Sequence, residues 1–308
     1  MALVQACLHA LPNTANVACF DSAFHHSLPD AVKYYAISRD VAGRKGLRKY
    51  GFHGLSYSYM THTVAAFLGQ PAAATSLIAL HLGSGASACA IRDGESADTS
   101  MGLTPVSGLP GATRSGDIDP SLIFHYTSEA SKIAASGPIH ISRAEDILNR
   151  RSGWKALTGT ADFAQIAADD APAAHRLAFD MFVDRVVGYL GSYFVKLEGR
   201  LDALVFAGGI GEKSARLRRA VVDRCRCLGF GVDAVQNDRG LLPDERVVDI
   251  SARTARFRTL VCQTDEEVSF RPHPHPPGRR EEEGGGACER ADTGFHHLIV
   301  GNGTRVLD

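Results

Sequence analysis

No apolar run in these 308 residues reaches the roughly 20 needed to cross a bilayer as a helix. Neither sign of charge is in excess. The 33 Lys and Arg stand against 34 Asp and Glu, a net charge of −1, which argues against a nucleic-acid partner or an anionic membrane surface. The opening stretch, MALVQACLHALPNTANVACF, lacks a basic start and a small-residue cleavage site, so no secretory leader is expected. Cysteine is present without a pattern. Its seven copies, at 7, 19, 89, 225, 227, 262 and 288, are odd in number and sit mostly in apolar runs, which reads as reduced thiols rather than a disulfide framework. Cys225 and Cys227 have no second pair to complete a zinc site. What is there is a large core: 44% of the residues are hydrophobic, enough for about two ordinary domains. The bulk reading is an α/β protein of the cytoplasm.

Strand-like and helix-like segments alternate, the pattern of a layered α/β architecture. Residues 16–20 form a short apolar run ending at Asp21. Ser76–Leu82 is a second run, which passes through Gly83-Ser84-Gly85 into Ala86–Ile91 and turns at Arg92-Asp93-Gly94, as a hairpin with a glycine-rich bend does. From Ala173 to Gly199 the spacing is helical, with Phe182, Val186, Tyr189 and Tyr193 on one face. Leu201–Phe206 reads as a buried strand, Ala207–Glu212 as a glycine turn, and the next segment as a helix rich in Arg and Ala. That order suits a nucleotide-binding half. Phe257–Gln263 reads as a further strand that delivers Thr264, Asp265, Glu266 and Glu267 at its end. Beyond Val268 the run RPHPHPPGRREEEGGGACER has almost nothing to bury and is expected to be disordered; the last residues hold a short strand-like run with no evident partner.

The most informative stretch is Asp98–Pro120, DTSMGLTPVSGLPGATRSGDIDP. Its four glycines and three prolines cannot make a continuous helix or a regular strand, so it is expected to be a long ordered loop. One cation, Arg114, stands among Asp98, Asp117 and Asp119. An Arg beside backbone amides freed by glycine suits a phosphoryl group, because its fork pairs with anionic oxygens. Composition alone leaves open a blander alternative, a surface loop held by a structural Arg–Asp pair.

This stretch resembles the signature of the acetate kinases, in which DTSMGLTP and TRSGDIDP are joined by a glycine-containing linker. Five further blocks resemble that family in the right order: 20–25, 50–54, 81–87, 206–212 and 264–267. Six ordered blocks carry far more weight than a lone glycine motif. The runs Trp154–Leu157 and Gly159–Phe163 look like the fungal branch of the family. The resemblance implies an α/β, two-lobed, ribonuclease-H-like fold of the actin-like ATPase kind. Residues 1–75 would be part of an incomplete first lobe, 76–267 a nucleotide-binding and catalytic lobe, and 268–308 a disordered or mispredicted tail. It implies a phosphotransferase with a carboxyl group as acceptor: reversible, Mg²⁺-dependent transfer between ATP and acetate, giving acetyl phosphate and ADP, by a homodimer. Carried over by position, Arg114 would stabilise charge on the transferring group and His53 would hydrogen-bond it. Asp21 would lie beside the carboxylate site and help to place Mg²⁺, which Glu266 would hold. His81, Gly83, Ser84, Gly85, Asp162, Gly208, Gly209, Ile210 and Gly211 would approach the nucleotide, glycine there letting backbone N–H groups come close.

Some positions depart from the family's pattern. Its Gly-Thr-Ser-His is here Gly54-Leu55-Ser56-Tyr57, the usual Asn of the first glycine loop is Ser84, and the Asn after Gly-Ile-Gly-Glu is Lys213. The Arg of an Asp-x-Arg pair in the adenosine pocket is Ala164. An early Asn, an Arg of the carboxylate site and a phosphate-facing His have no matching position. The alternatives are therefore a propionate or butyrate kinase, a pyrophosphate-dependent acetate kinase, and, in a different class, an inactive nucleotide-binding remnant.

Overall fold

The computed structural model describes residues 2–14, 16–133, 141–265 and 297–300; Glu266, Glu267 and the Pro-His and Glu-Gly run lie outside them. The chain is α/β. Its strands are β1 (Asn16–Cys19), β2 (Leu77–Leu82), β3 (Ala86–Arg92), β4 (Glu95–Thr99), β5 (Ala203–Ala207), β6 (Val247–Asp249), β7 (Arg258–Cys262) and β8 (His297–Val300). Six of them form one open sheet in the order β4-β3-β2-β5-β7-β6. An antiparallel meander, β2-β3-β4, is continued by β5 and β7 running parallel to β2, with β6 antiparallel at the far edge. This is the ribonuclease-H-like order that the resemblance implies. The strand-like run near the end does have a partner, since β8 pairs antiparallel with β1.

The central strands are apolar on both sides because helices cover both faces. Alternation along β2 sends Ile78, Leu80 and Leu82 to one core and Leu77 and Ala79 to the other. The long helix Ala173–Lys196 covers the first face with Phe182, Val186, Leu190 and Tyr193, joined by Trp154 and Phe163. The helix Gly54–Leu68 covers the second with Tyr57, Met60 and Val64. Each fully buried side chain of this size contributes roughly 1.5–3 kcal/mol by leaving water.

Local structure departs from the sequence pattern in two places. Asp98 and Thr99 belong to β4, so the irregular segment begins at Ser100; the remaining stretch to Pro120 has neither helix nor strand, as its glycines and prolines require. The supposed glycine turn after β5 is helical from Gly208 to Lys213, with Gly208 alone at positive φ (+75°). A second helix, Ala215–Arg224, starts afresh at Ser214, whose hydroxyl accepts from Leu217 N–H. Gly208 has little choice of residue, because a Cβ there would stand 2.7 Å from the Leu82 carbonyl oxygen.

Parallel β2, β5 and β7 end on the same edge of the sheet. Their carboxyl ends deliver Gly83–Gly85, Gly208 and Thr264 to one crevice, the usual ligand position in an open α/β sheet. At its margin Glu212 Oε1 accepts from both the N–H and the hydroxyl of Thr264, joining the β5 and β7 ends. Cys7, Cys89, Cys225, Cys227 and Cys262 are free thiols, and no described helix is long and apolar enough to cross a membrane.

Candidate active site

The helix Gly54–Leu68 begins at the crevice because of how Asp21 holds its first residues. His53, at the N-cap, has φ +59°, a conformation that costs a non-glycine residue about 1 kcal/mol or more. Asp21 stabilises that strain twice. Its carboxylate Oδ2 accepts from His53 N–H at 2.7 Å, and its carbonyl accepts from Gly54 N–H at 2.7 Å. The His53 side chain is then fixed from β3, with Nδ1 at 2.8 Å from the Ser87 hydroxyl. Its ring stacks on His81 of β2, and His81 Nδ1 in turn meets the Ser56 hydroxyl at 2.8 Å.

These imidazoles are neutral at physiological pH. Burial, reinforced by the Arg114 charge and by His25, lowers His53 to about 4. Burial and then His53 lower His81 to about 3. Behind them, His25 is almost fully buried and satisfied, with Nδ1 at 2.7 Å from the Ser96 hydroxyl and Nε2 at 3.0 Å from the Phe52 carbonyl. Burial lowers it to about 4. His25 thus clamps the residue before His53.

Arg114 reaches the same place from the loop 100–120. A Cβ built on Gly85 would lie 3.0 Å from Arg114 Nη1 and 3.6 Å from His53 Nε2, so both side chains converge on the bare Gly85 backbone. The loop is tied there by Ala112 N–H donating to the Ser84 carbonyl at 2.8 Å and by Gly111 N–H donating to the Arg114 carbonyl at 3.1 Å. Arg114 pairs with none of the loop's three aspartates. Asp98 is taken by Lys49 at 2.8 Å and by Lys196. Asp117 accepts from Gly108 N–H at 2.7 Å and from the Ser107 hydroxyl, and also meets Tyr189. Asp119 caps Ser121. The Arg114 guanidinium has no hydrogen-bond or ion-pair partner among the described residues, which is what a site awaiting an anion requires.

A separate cleft of about 610 Å³ opens beside this cluster. Gly83, Ser84, Asp162, Gly209 and Ile210 line it, so five of the residues expected at the nucleotide are together, and the volume suits a nucleoside. His81 and Gly85 sit instead with His53 and Arg114. Gly208 and Gly211 are buried in the helix start, and the tight approach of Gly208 to Leu82 is structural. Asp162 caps its own short helix through Ala164 N–H. Glu266 lies outside the described residues.

Sequence reasoning missed Trp154, Lys213 and Arg216, which line the cleft. Arg216 supplies a guanidinium where position 164 has none; it is held by the Ala167 carbonyl at 2.9 Å and lies over the Phe179 ring. It also missed Ser56, Tyr57 and Ser87. Hydroxyls three and four positions after His53 and six after His81 were the available signal.

The acetokinase family pattern matches residues 1–271. A probable acetate kinase of Emericella nidulans is 59% identical over 273 residues, covering 87% of this chain and 65% of that protein. An acetate kinase of Corynebacterium jeikeium is 39% identical, covering 84% and 63%. Among solved structures, a propionate kinase from Francisella tularensis superposes with a TM-score of 0.76 at 34% identity, covering 87% of this chain and 66% of that one. Porphyromonas gingivalis acetate kinase gives a TM-score of 0.76 at 33% identity, covering 86% and 65%. The chain therefore spans about 65% of the length of the Emericella relative. The family pattern over residues 1–271 and a relative 59% identical across 87% of this chain settle the family: the chain belongs to the acetokinases.

Proposed function

We propose that this chain carries out reversible phosphoryl transfer between ATP and acetate, giving acetyl phosphate and ADP, as part of a cytoplasmic homodimer. One observation supports this above the others: the Arg114 guanidinium has no hydrogen-bond or ion-pair partner among the described residues, while the loop's three aspartates are engaged elsewhere. Phosphoryl transfer asks the protein for positioning and charge neutralisation rather than covalent help. Arg114 would take two oxygens of the transferring group through its planar fork. Neutral His53 would add a hydrogen bond from Nε2 without the cost of a second buried charge. Gly85 leaves the space between them open. With adenosine in the cleft beside Trp154, the phosphate chain would run along Gly83–Gly85 toward Arg114. Residues 76–267 would serve as the nucleotide-binding lobe and the segment before them as part of the other.

The donor set fits Mg²⁺. Among the described residues no group of three His, Cys, Asp or Glu converges, whereas Mg²⁺ needs only one or two carboxylates beside water and phosphate oxygens. Asp21 has one oxygen occupied by His53 N–H and the other without a partner among the described residues. It would hold the ion, together with Glu266. When bound, Mg²⁺ neutralises charge on the phosphate oxygens.

The likeness to a propionate kinase makes propionate the second substrate to consider. The test is a hydroxamate assay on this chain over acetate, propionate and butyrate, each with ATP and with pyrophosphate. Turnover greatest with acetate and ATP supports the proposal. Strong butyrate or pyrophosphate turnover without acetate turnover refutes it, and nucleotide binding with no turnover points to a remnant.

A further inference from the structure

We propose that Tyr57 is a positioning residue for His53: through the Ser87 hydroxyl it fixes the imidazole as the Nε2–H tautomer, so that the ring donates toward the space it shares with Arg114. The significance of that donor rests on the phosphoryl-transfer reading above; the hydrogen-bond polarity does not.

Donors and acceptors have to balance in a closed space here. Tyr57 and Ser87 are both fully buried. Their hydroxyls are hydrogen-bonded to each other, and Ser87 Oγ also lies 2.8 Å from His53 Nδ1. Three polarities are conceivable, and the one in which Tyr57 and His53 both donate to Ser87 leaves the Ser87 proton with no acceptor among the described residues. In the first of the other two, Tyr57 O–H donates to Ser87, and Ser87 O–H donates to His53 Nδ1. Every proton then has an acceptor, and the His53 proton stands on Nε2. In the second, His53 Nδ1–H donates to Ser87 and Ser87 donates to Tyr57. The phenol then accepts from Ser87, while its own O–H has no acceptor among the described residues. A buried hydroxyl proton without an acceptor costs about 1–3 kcal/mol, enough to select the first polarity.

Geometry gives this polarity its use. His53 Nε2 faces Gly85, where Arg114 Nη1 also arrives. With Nε2 protonated, the site presents two kinds of donor to one anion. With Nε2 bare, it would present a lone pair to that anion. Tyr57 stands where the family pattern has histidine, so the chain has a phenol as the source of the relay. The groups around His53 are Asp21 at its backbone N–H, His25 behind, His81 stacked on it, and Arg114 across Gly85.

The tautomer can be read without turnover. In chain labelled with 15N-histidine, His53 is assigned by the signal lost in His53→Gln. The wild type should show a bare Nδ1 and a protonated Nε2 at neutral pH; a protonated Nδ1 would overturn the proposal with no variant needed. Tyr57→Phe and Ser87→Ala should each mix the tautomers, and the double variant should go no further than either single one. An unchanged tautomer in both folded single variants would also overturn it. Where turnover is measurable, Tyr57→Phe should lower kcat roughly tenfold, the worth of one hydrogen bond, at unchanged nucleotide KM. A tautomer that shifts as stated in a chain with no turnover would refute the phosphoryl-transfer reading and leave the relay standing.

Discussion

The imidazole rings of His53 and His81 stack with centroids 4.1 Å apart and planes tilted by 33°. Two rings this close, beside Arg114, cannot both charge without repulsion, and burial already disfavours charging either. His25 behind them is in the same condition. Folded values near 4 for His25 and His53 and near 3 for His81 lie below the ordinary value of 6.5. The unfolded chain therefore binds more protons than the folded one once the pH drops below about 6.5. Stability from these groups is fully present above that pH and is lost as the pH falls toward 4, each histidine contributing up to about 1.4 kcal/mol per pH unit. Urea midpoints measured between pH 7.5 and 5 should fall, more shallowly in His25→Gln. A flat profile would contradict the assignment.

Arg114→Ala should reduce turnover by about 10³-fold or more, the scale of a charge-stabilising arginine in phosphoryl transfer. Arg114→Lys should recover only a small part, since an ammonium cannot present a planar fork. Nucleotide binding should survive both. Trp154, the single tryptophan, lines the cleft, so an ADP titration followed by its fluorescence separates binding from chemistry. Turnover retained in Arg114→Ala would remove Arg114 from the reaction.

How far the sequence reveals this site differs from residue to residue. Arg114 is legible because glycines and prolines forbid regular structure around it, leaving one cation in an ordered loop. The strand before Gly83 is legible because β2 is apolar at nearly every position. What stays hidden depends on long-range closure. Nothing local in Asp21 says that both its carboxylate and its carbonyl will hold the residues around His53, thirty-two positions on. The helical form of Gly208–Lys213 is hidden for another reason: glycine's poor helix propensity argues against it, and packing on Leu82 and Phe206 overrides propensity. Arg216 reaches the cleft from a helix that reads only as rich in Arg and Ala.

Asp98→Asn should destabilise the fold by about 3 kcal/mol, because it breaks a buried charge cluster from its centre. The Asp98 side chain, 5% exposed, holds Lys49 of the segment leading to His53 and Lys196 at the end of the long helix, and it accepts from Thr99 N–H. Loss of its charge leaves two ammonium groups facing each other. Lys196→Met, at the more exposed of the two lysines, should cost less than Asp98→Asn. Thermal unfolding of the variants measures this. A loss below about 1 kcal/mol for Asp98→Asn would mean that the cluster reorganises around solvent.

Two glycines of the site should respond in opposite ways to an added side chain. A Cβ on Gly54 would stand 2.3 Å from the Asp21 carbonyl oxygen, the acceptor of Gly54 N–H. Backbone must therefore move, and Gly54→Ala should lower both stability and the alignment of Asp21 with His53. Gly209 lies in a helix and lines the cleft, and a Cβ there meets nothing within 4 Å. Gly209→Ala should leave stability unchanged or raise it by about 0.5–1 kcal/mol, as removal of a helical glycine does. Gly209→Leu should then fill the space proposed for the nucleotide and weaken ADP binding at least tenfold, with Tm preserved. Paired Tm and ADP titrations decide it: full ADP affinity in folded Gly209→Leu would mean that the nucleotide does not use this cleft.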